Sequence, residues 1–251
     1  NMRYLFLCMI CLFSVNAYST SDQYTLRTEI FFCKYSEGNN YDDVVNFEKK
    51  YEKFLRQNGL KYSKAILTPV IAGETDYDFV LWGSWPNGEE MYREYGAYLN
   101  DYENADENPS ICNSTFAVIN TAARHLRIPQ EQYDNVQFVE FANCKFTEEA
   151  SFNDLLKVSA EHESLVEEFG YGGYGVHYLR PYRGFDDAYP YDMIRMAHWY
   201  NRETRAENVK QGAAMKQFMQ NKGINEKYAK HIESCGNRKV FGMEYMYSSV
   251  D

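Results

Sequence analysis

Glu29 and Glu140 head two matching segments, EIFFCKY (29–35) and EFANCKF (140–146). A carboxyl group on a strand that faces an apolar cavity is pushed toward its neutral form, as a general acid or base requires. Glu29 meets no basic residue at the matching place of its own half, so it is the candidate catalytic residue. Glu140 has Arg195 within reach on a neighbouring strand. Strand alternation puts Arg195 and Trp199 on one face of MIRMAHW (193–199), and Tyr178 and Arg180 join that face from the preceding strand. Trp85 holds the place of Trp199 in the first half. An arginine is poorly placed against helices and well placed against a ligand. The candidate binding set is therefore Glu140, Tyr178, Arg180, Arg195, Trp85 and Trp199, which suits a small aromatic or anionic compound. By the same alternation Ile30, Phe32, Val139, Phe141, Ile194, Met196 and His198 turn toward the helices. The structural alternative is an ion-pair cluster that seals two sheets together.

His177 and His198 are a second candidate. A hairpin brings the start of one strand near the end of the next, and two imidazoles across strands can hold a metal. A third ligand is missing, so no metal site is expected, and hydrogen-bonded histidines are the default. The four cysteines beyond residue 17, Cys33, Cys112, Cys144 and Cys235, contain no CxxC pair, which argues against a thiolate zinc site. FGYGGYG (169–175) follows a helical pattern and precedes a strand, the reverse of a dinucleotide fingerprint. Asn113 opens an NST sequon, which carries sugar only in a eukaryotic secretory host.

These residues need a frame, and the frame is written twice. DFVLWGSWPN (78–87) is answered by DMIRMAHWYN (192–201), with Asp, Trp and Asn in register. LTP (67–69) is answered by LRP (179–181), and CNS (112–114) by CGN (235–237). With the two glutamate segments, these are landmarks in one order, the mark of a duplicated unit. Periodicity predicts strands over 28–33, 62–70, 77–85 and 115–123, and helices over 41–58 and 89–99. The second half predicts strands over 136–143, 174–182, 191–199 and 239–247, and helices over 151–169 and 206–221. Residues 18–124 form the first repeat, 125–134 a linker and 135–251 the second.

The βαββαβ order of each half is that of a ferredoxin-like unit, whose four-stranded sheet leaves one face open. Two units can cover those faces together. The chain resembles the dimeric α+β barrel superfamily, fused in tandem, over about 24–247. The expected fold is α+β, two ferredoxin-like units packed sheet to sheet as a pseudo-dimeric barrel. The superfamily includes cofactor-free monooxygenases, isomerases, haem-handling enzymes and stress-response proteins, and no catalytic signature from any of them maps onto this chain. In that topology the first and last strands of a unit are antiparallel neighbours. It therefore favours Cys33–Cys112 and Cys144–Cys235 over the other two pairings of the four cysteines.

Arg3, the apolar run 4–13 and Val15-Asn16-Ala17 read as a signal peptide over 1–17. The chain is then exported, periplasmic or secreted, where an even number of cysteines reads as disulfides. A net charge of −10 repels phosphate backbones, so nucleic acid is not an expected partner, nor is a membrane once the leader is removed. No cofactor is expected. Monomer and homo-oligomer are equally open. The function expected is small-molecule binding or a stress-associated role. A cofactor-independent monooxygenase or isomerase acting on a small aromatic or anionic compound comes second, and a structural or interaction module third.

Overall fold

A computed structural model describes residues 25–249; the leader read at 1–17 lies outside the described residues. The first repeat runs β1 (Thr25–Tyr35), α1 (Tyr41–Gln57), β2 (Ser63–Ile71), β3 (Phe79–Trp85), α2 (Gly88–Asp101) and β4 (Ser110–Leu126). The second runs β5 (Val136–Phe146), α3 (Phe152–Phe169), β6 (Tyr174–Arg183), β7 (Met193–Trp199), α4 (Arg202–Lys210), α5 (Gly212–Asn221), α6 (Ile224–Ala229), β8 (Ile232–Cys235) and β9 (Lys239–Ser248). The single helix predicted over 206–221 is two, α4 and α5, and α6 and β8 have no counterpart in the sequence expectation.

Each repeat orders its strands alike, β4-β1-β3-β2 in the first and β9-β5-β7-β6 in the second. The sheets join edge to edge, β4 to β6 and β2 to β9, all antiparallel. Eight strands thus close into a barrel, which leaves no long unpaired edge. β8 is a short addition beside the end of β5.

The twice-written phrase is a structural device. Asp78 Oδ2 accepts from Tyr35 N at 3.0 Å, and Asp192 Oδ2 from Phe146 N at 2.7 Å, so each aspartate clamps the end of the neighbouring strand. Asn87 and Asn201 close the phrases as N-caps of α2 and α4, accepting from Glu90 N and Thr204 N. The cysteines pair as the topology demands. Cys33 opposes Cys112 across β1 and β4, and Cys144 opposes Cys235 across β5 and β8; both pairs are disulfides.

Which face looks inward differs from the sequence expectation. Ile30, Leu67, Val80, Trp82, Val118, Val139, Leu179, Ile194, Met196, Phe241 and Met243 form one core drawn from both repeats, so they fill the barrel. Trp85 packs with α1 and α2, and Tyr178 and Trp199 with α3 and α5. The barrel interior takes at least one apolar residue from each of its eight strands. Arg195 is accommodated on the helix side because that layer contains its own polar pocket.

Candidate functional site

The inward parity of the strands turns polar at one end of the barrel. Thr28, Ser84, Asn120, Gln137, His177 and His198 come from six strands and are all buried. The main chain fixes them as a ring of neighbours: Thr28 is opposite Ser84, and Asn120 is two places from the partner of His177. A cavity of about 960 Å³ opens here, with Ser84, Asn120, Gln137, His177, His198 and Tyr200 in its wall and Trp82, Met196 and Met243 toward its floor. Trp82 also lines a second, apolar chamber of about 210 Å³ at the other end of the barrel, walled by Phe32, Phe116, Phe141 and Phe241. The two chambers therefore meet at the indole.

Hydrogen bonds fix the wall. His177 Nδ1 lies 2.9 Å from Asn120 Oδ1, Asn120 Nδ2 donates to Thr28 Oγ1 at 3.3 Å, and Thr28 Oγ1 is 2.9 Å from Ser84 Oγ. His198 Nε2 lies 2.6 Å from Gln137 Oε1, and Gln137 Nε2 donates to Asp134 O at 3.3 Å. A carboxamide oxygen only accepts, so the ring proton sits on Nδ1 of His177 and on Nε2 of His198. Burial, then the neighbouring His198, pushes His177 down to about 3; burial, then His125, pushes His198 down to about 3. His125 falls to about 4 through burial and the adjacent Arg127, whose Nε donates to His125 Nε2 at 2.6 Å. At neutral pH all three imidazoles are uncharged. Four charged groups line the cavity: Lys64 Nζ pairs with Glu48 at 2.8 Å, Glu244 accepts from Tyr41 at 2.6 Å, Asp134 accepts from Arg202 N at 2.7 Å, and Arg127 donates to His125.

The other residues singled out in the sequence are placed in the helix layers, in four settings. Glu29 and Trp85 lie under α1 and α2. Glu29 accepts from Tyr62 at 2.5 Å and Tyr95 at 2.7 Å, and burial raises its pKa to about 7. Its strand partner is Gly83, and a Cβ at Gly83 would overlap the Tyr62 hydroxyl. The missing side chain is what lets that hydroxyl reach the carboxyl. Glu140 opposes Ala197 rather than Arg195. Its partners are Arg205 at 2.8 Å and Arg238 at 3.3 Å, and Arg205 also stacks on Trp199 at 4.2 Å. Arg180 lies over Phe152 at 4.1 Å. Tyr178 and Arg195 line a separate pocket of about 250 Å³ beneath α3 and α6.

His177 and His198 do come together, as the hairpin predicts, but inside the barrel rather than against the helices. Among the described residues no cluster of three or more His, Cys, Asp or Glu could hold a metal ion. Asn120 and Gln137 are absent from the sequence expectation. Neither belongs to a motif; the signal that could have found them is their shared inward parity with the two histidines.

No protein-family model matches the sequence, and no curated protein does. Solved structures match over most of the chain. An anthrone oxidase-like protein aligns at 12% identity over 91% of this chain and 96% of its own, with a TM-score of 0.50. A heme-binding protein from Thermus thermophilus aligns at 11% identity over 89% and 93%, with a TM-score of 0.48. Chlorite dismutase from Candidatus Nitrospira defluvii, in complex with imidazole, aligns at 10% identity over 89% and 92%, also at 0.48. Identities this low speak to the fold alone, which is the dimeric α+β barrel in tandem form.

Proposed function

We propose that this fused α+β barrel binds a small, uncharged, partly aromatic molecule in its mouth. The observation that carries the reading is the pair of neutral imidazoles, His177 and His198, each held in one tautomer by a carboxamide oxygen. They stand in a cavity of about 960 Å³ whose floor is Trp82, Met196 and Met243. That volume lies within the range of small-molecule sites, roughly 300–1,000 Å³. A wall of hydroxyls, amides and neutral rings offers hydrogen bonds without net charge, and an indole floor offers a stacking face.

Binding is favoured over proton abstraction by base strength. An imidazole with a pKa of about 3 is a poor base at neutral pH, because catalytic bases work best near the operating pH. Glu29 has the better pKa, about 7, but points into the helix layer of the first repeat. A cofactor-independent oxygenase or isomerase would need a base at the ligand, so that reading stands second. We also read the protein as exported, a reading the two disulfides support.

His125, His162 and His198 do not fit an axial ligand to haem. An axial ligand needs a lone pair on Nε2, the ring nitrogen farthest from the main chain, with Nδ1–H held by an acceptor. His162 Nδ1 faces Arg124 Nη1 at 2.8 Å; a guanidinium only donates, so the proton is on Nε2. His198 Nε2 is engaged with Gln137, and His125 Nε2 with Arg127. His177 alone of these four has Nδ1 on an acceptor, Asn120 Oδ1, and so meets that tautomer requirement.

The test is a thermal-shift screen with phenol, indole and their carboxylated analogues. Uncharged compounds should raise the unfolding midpoint, and Leu26→Trp, which fills the mouth from β1, should abolish the response. An equal response in Leu26→Trp, or none in the wild type, would refute the reading.

A further inference from the structure

We propose that the pocket between the second repeat's sheet and helices α3 and α6 is a binding site for a small oxyanion, with Arg124 and Arg195 as its charged ligands. The site is separate from the barrel mouth, because Arg124, Tyr178 and Arg195 point outward from the barrel wall. Arg124 is only 4% exposed, and its Nε has no hydrogen-bond partner. Among the described residues neither arginine is in an ion pair. Glu163 bears on Arg124 at longer range without an ion pair, a smaller influence on that guanidinium than burial or the nearby tyrosines, and its Oε2 accepts from His125 N at 3.1 Å. Arg238, at the rim, is paired with Glu140 at 3.3 Å. Glu140 is shared with Arg205 and cannot neutralise the two inner guanidiniums.

Burying one guanidinium without a counter-charge is costly, and placing two in one pocket adds their mutual repulsion. What Arg124 does have is a neutral partner, His162, and an aromatic face, Tyr174, at 5.8 Å. Neither supplies negative charge. The rest of the pocket is built to donate. Tyr178 Oη lies 2.6 Å from Ser159 Oγ, and Tyr228 Oη lies 3.1 Å from the same atom and 3.2 Å from His162 Nδ1. These hydroxyls share acceptors among themselves and can turn toward an anion. Ala142, Ile232 and the Cys144–Cys235 disulfide complete the wall. A volume of about 250 Å³ admits a few heavy atoms, the size of phosphate or a short carboxylate. Both offer the oxygen pair that a guanidinium fork grips.

The experiment is a calorimetric and thermal-shift titration of the full chain with phosphate, sulfate, acetate and benzoate, against sodium chloride at matched ionic strength. At least one oxyanion should raise the unfolding midpoint by roughly 2–4 °C at saturating concentration. Phosphate and sulfate acting alone would identify an inorganic oxyanion; acetate or benzoate acting would identify a carboxylate. Arg195→Leu should be more stable than the wild type without anion, since it removes an uncompensated charge, and should lose the response. Arg195→Lys, which keeps the charge but not the fork, should bind at least about tenfold more weakly. No oxyanion-specific effect in the wild type, or an undiminished one in either variant, would overturn the proposal. The wild-type titration decides even where a variant does not fold.

Discussion

His198 Nε2 lies 2.6 Å from Gln137 Oε1, across the adjoining strands β5 and β7. That contact sets the tautomer of the ring, while burial, then His125, sets its neutrality. Gln137→Glu would replace a neutral acceptor with a carboxylate. The imidazolium is then favoured, so the pKa of His198 should rise from about 3 to above the ordinary value of about 6.5. Nitrogen chemical shifts followed against pH would read this directly. Binding of an uncharged ligand should weaken by about tenfold or more, because the wall now carries charge.

Stability should peak near the unfolded imidazole value of about pH 6.5. His125, His162, His177 and His198 have folded pKa values depressed to about 4, 2, 3 and 3. A depressed imidazole contributes stability present above its unfolded value of about 6.5 and lost as pH falls through the folded one. Glu29 and Glu94 are raised from 4.5 to about 7 and about 9, chiefly by burial. Their contribution is full below pH 4.5 and is lost as pH rises through those values. Between 4.5 and 6.5 four imidazoles oppose two carboxyls, so stability still climbs with pH. Above 6.5 only the carboxyls act and it declines. A fully buried group changes stability by up to about 1.4 kcal/mol per pH unit. Glu94→Gln should flatten the alkaline side in denaturant titrations; an unchanged alkaline slope would remove Glu94 as its cause.

Gly83→Ala should disturb the first repeat and spare the mouth. Its Cβ would overlap the Tyr62 hydroxyl, so the ring must move off Glu29. Overpacking of this kind costs about 1–3 kcal/mol. The unfolding midpoint should fall while ligand response at the barrel mouth is retained.

Each disulfide closes a long loop, with separations of 79 and 91 residues. In the chain-entropy model each is worth about 4 kcal/mol. Reduction should lower the unfolding midpoint, and non-reducing peptide maps should join Cys33 to Cys112 and Cys144 to Cys235. A peptide joining Cys33 to Cys144 would contradict the strand order.

The duplication is legible in the sequence because it rests on spacing, which survives without coordinates, and the strand order and the cysteine pairing follow from the ferredoxin-like topology that the resemblance implies. Facing is not. Alternation gives two faces per strand but does not name the inner one. Arg195 points the sequence reading to the wrong face, through the premise that helices exclude arginine. The helix layer instead holds Tyr178, Tyr228 and His162 around it. With that parity reversed, His198 belongs to the cavity and Glu29 does not. Register is also beyond reach. Glu140 meets Ala197, two places from Arg195, and finds Arg205 and Arg238, which come from α4 and from the turn before β9. Long side chains from distant segments carry no periodic signal.

Native mass spectrometry of the protein purified from its own host tests the barrel-mouth site most directly. The wild type should retain an uncharged organic adduct of small mass, displaced by the best compound of the thermal-shift screen, and Leu26→Trp should carry none. Retention of the same adduct by Leu26→Trp, or a retained haem, would contradict binding of such a molecule between His177, His198 and Trp82.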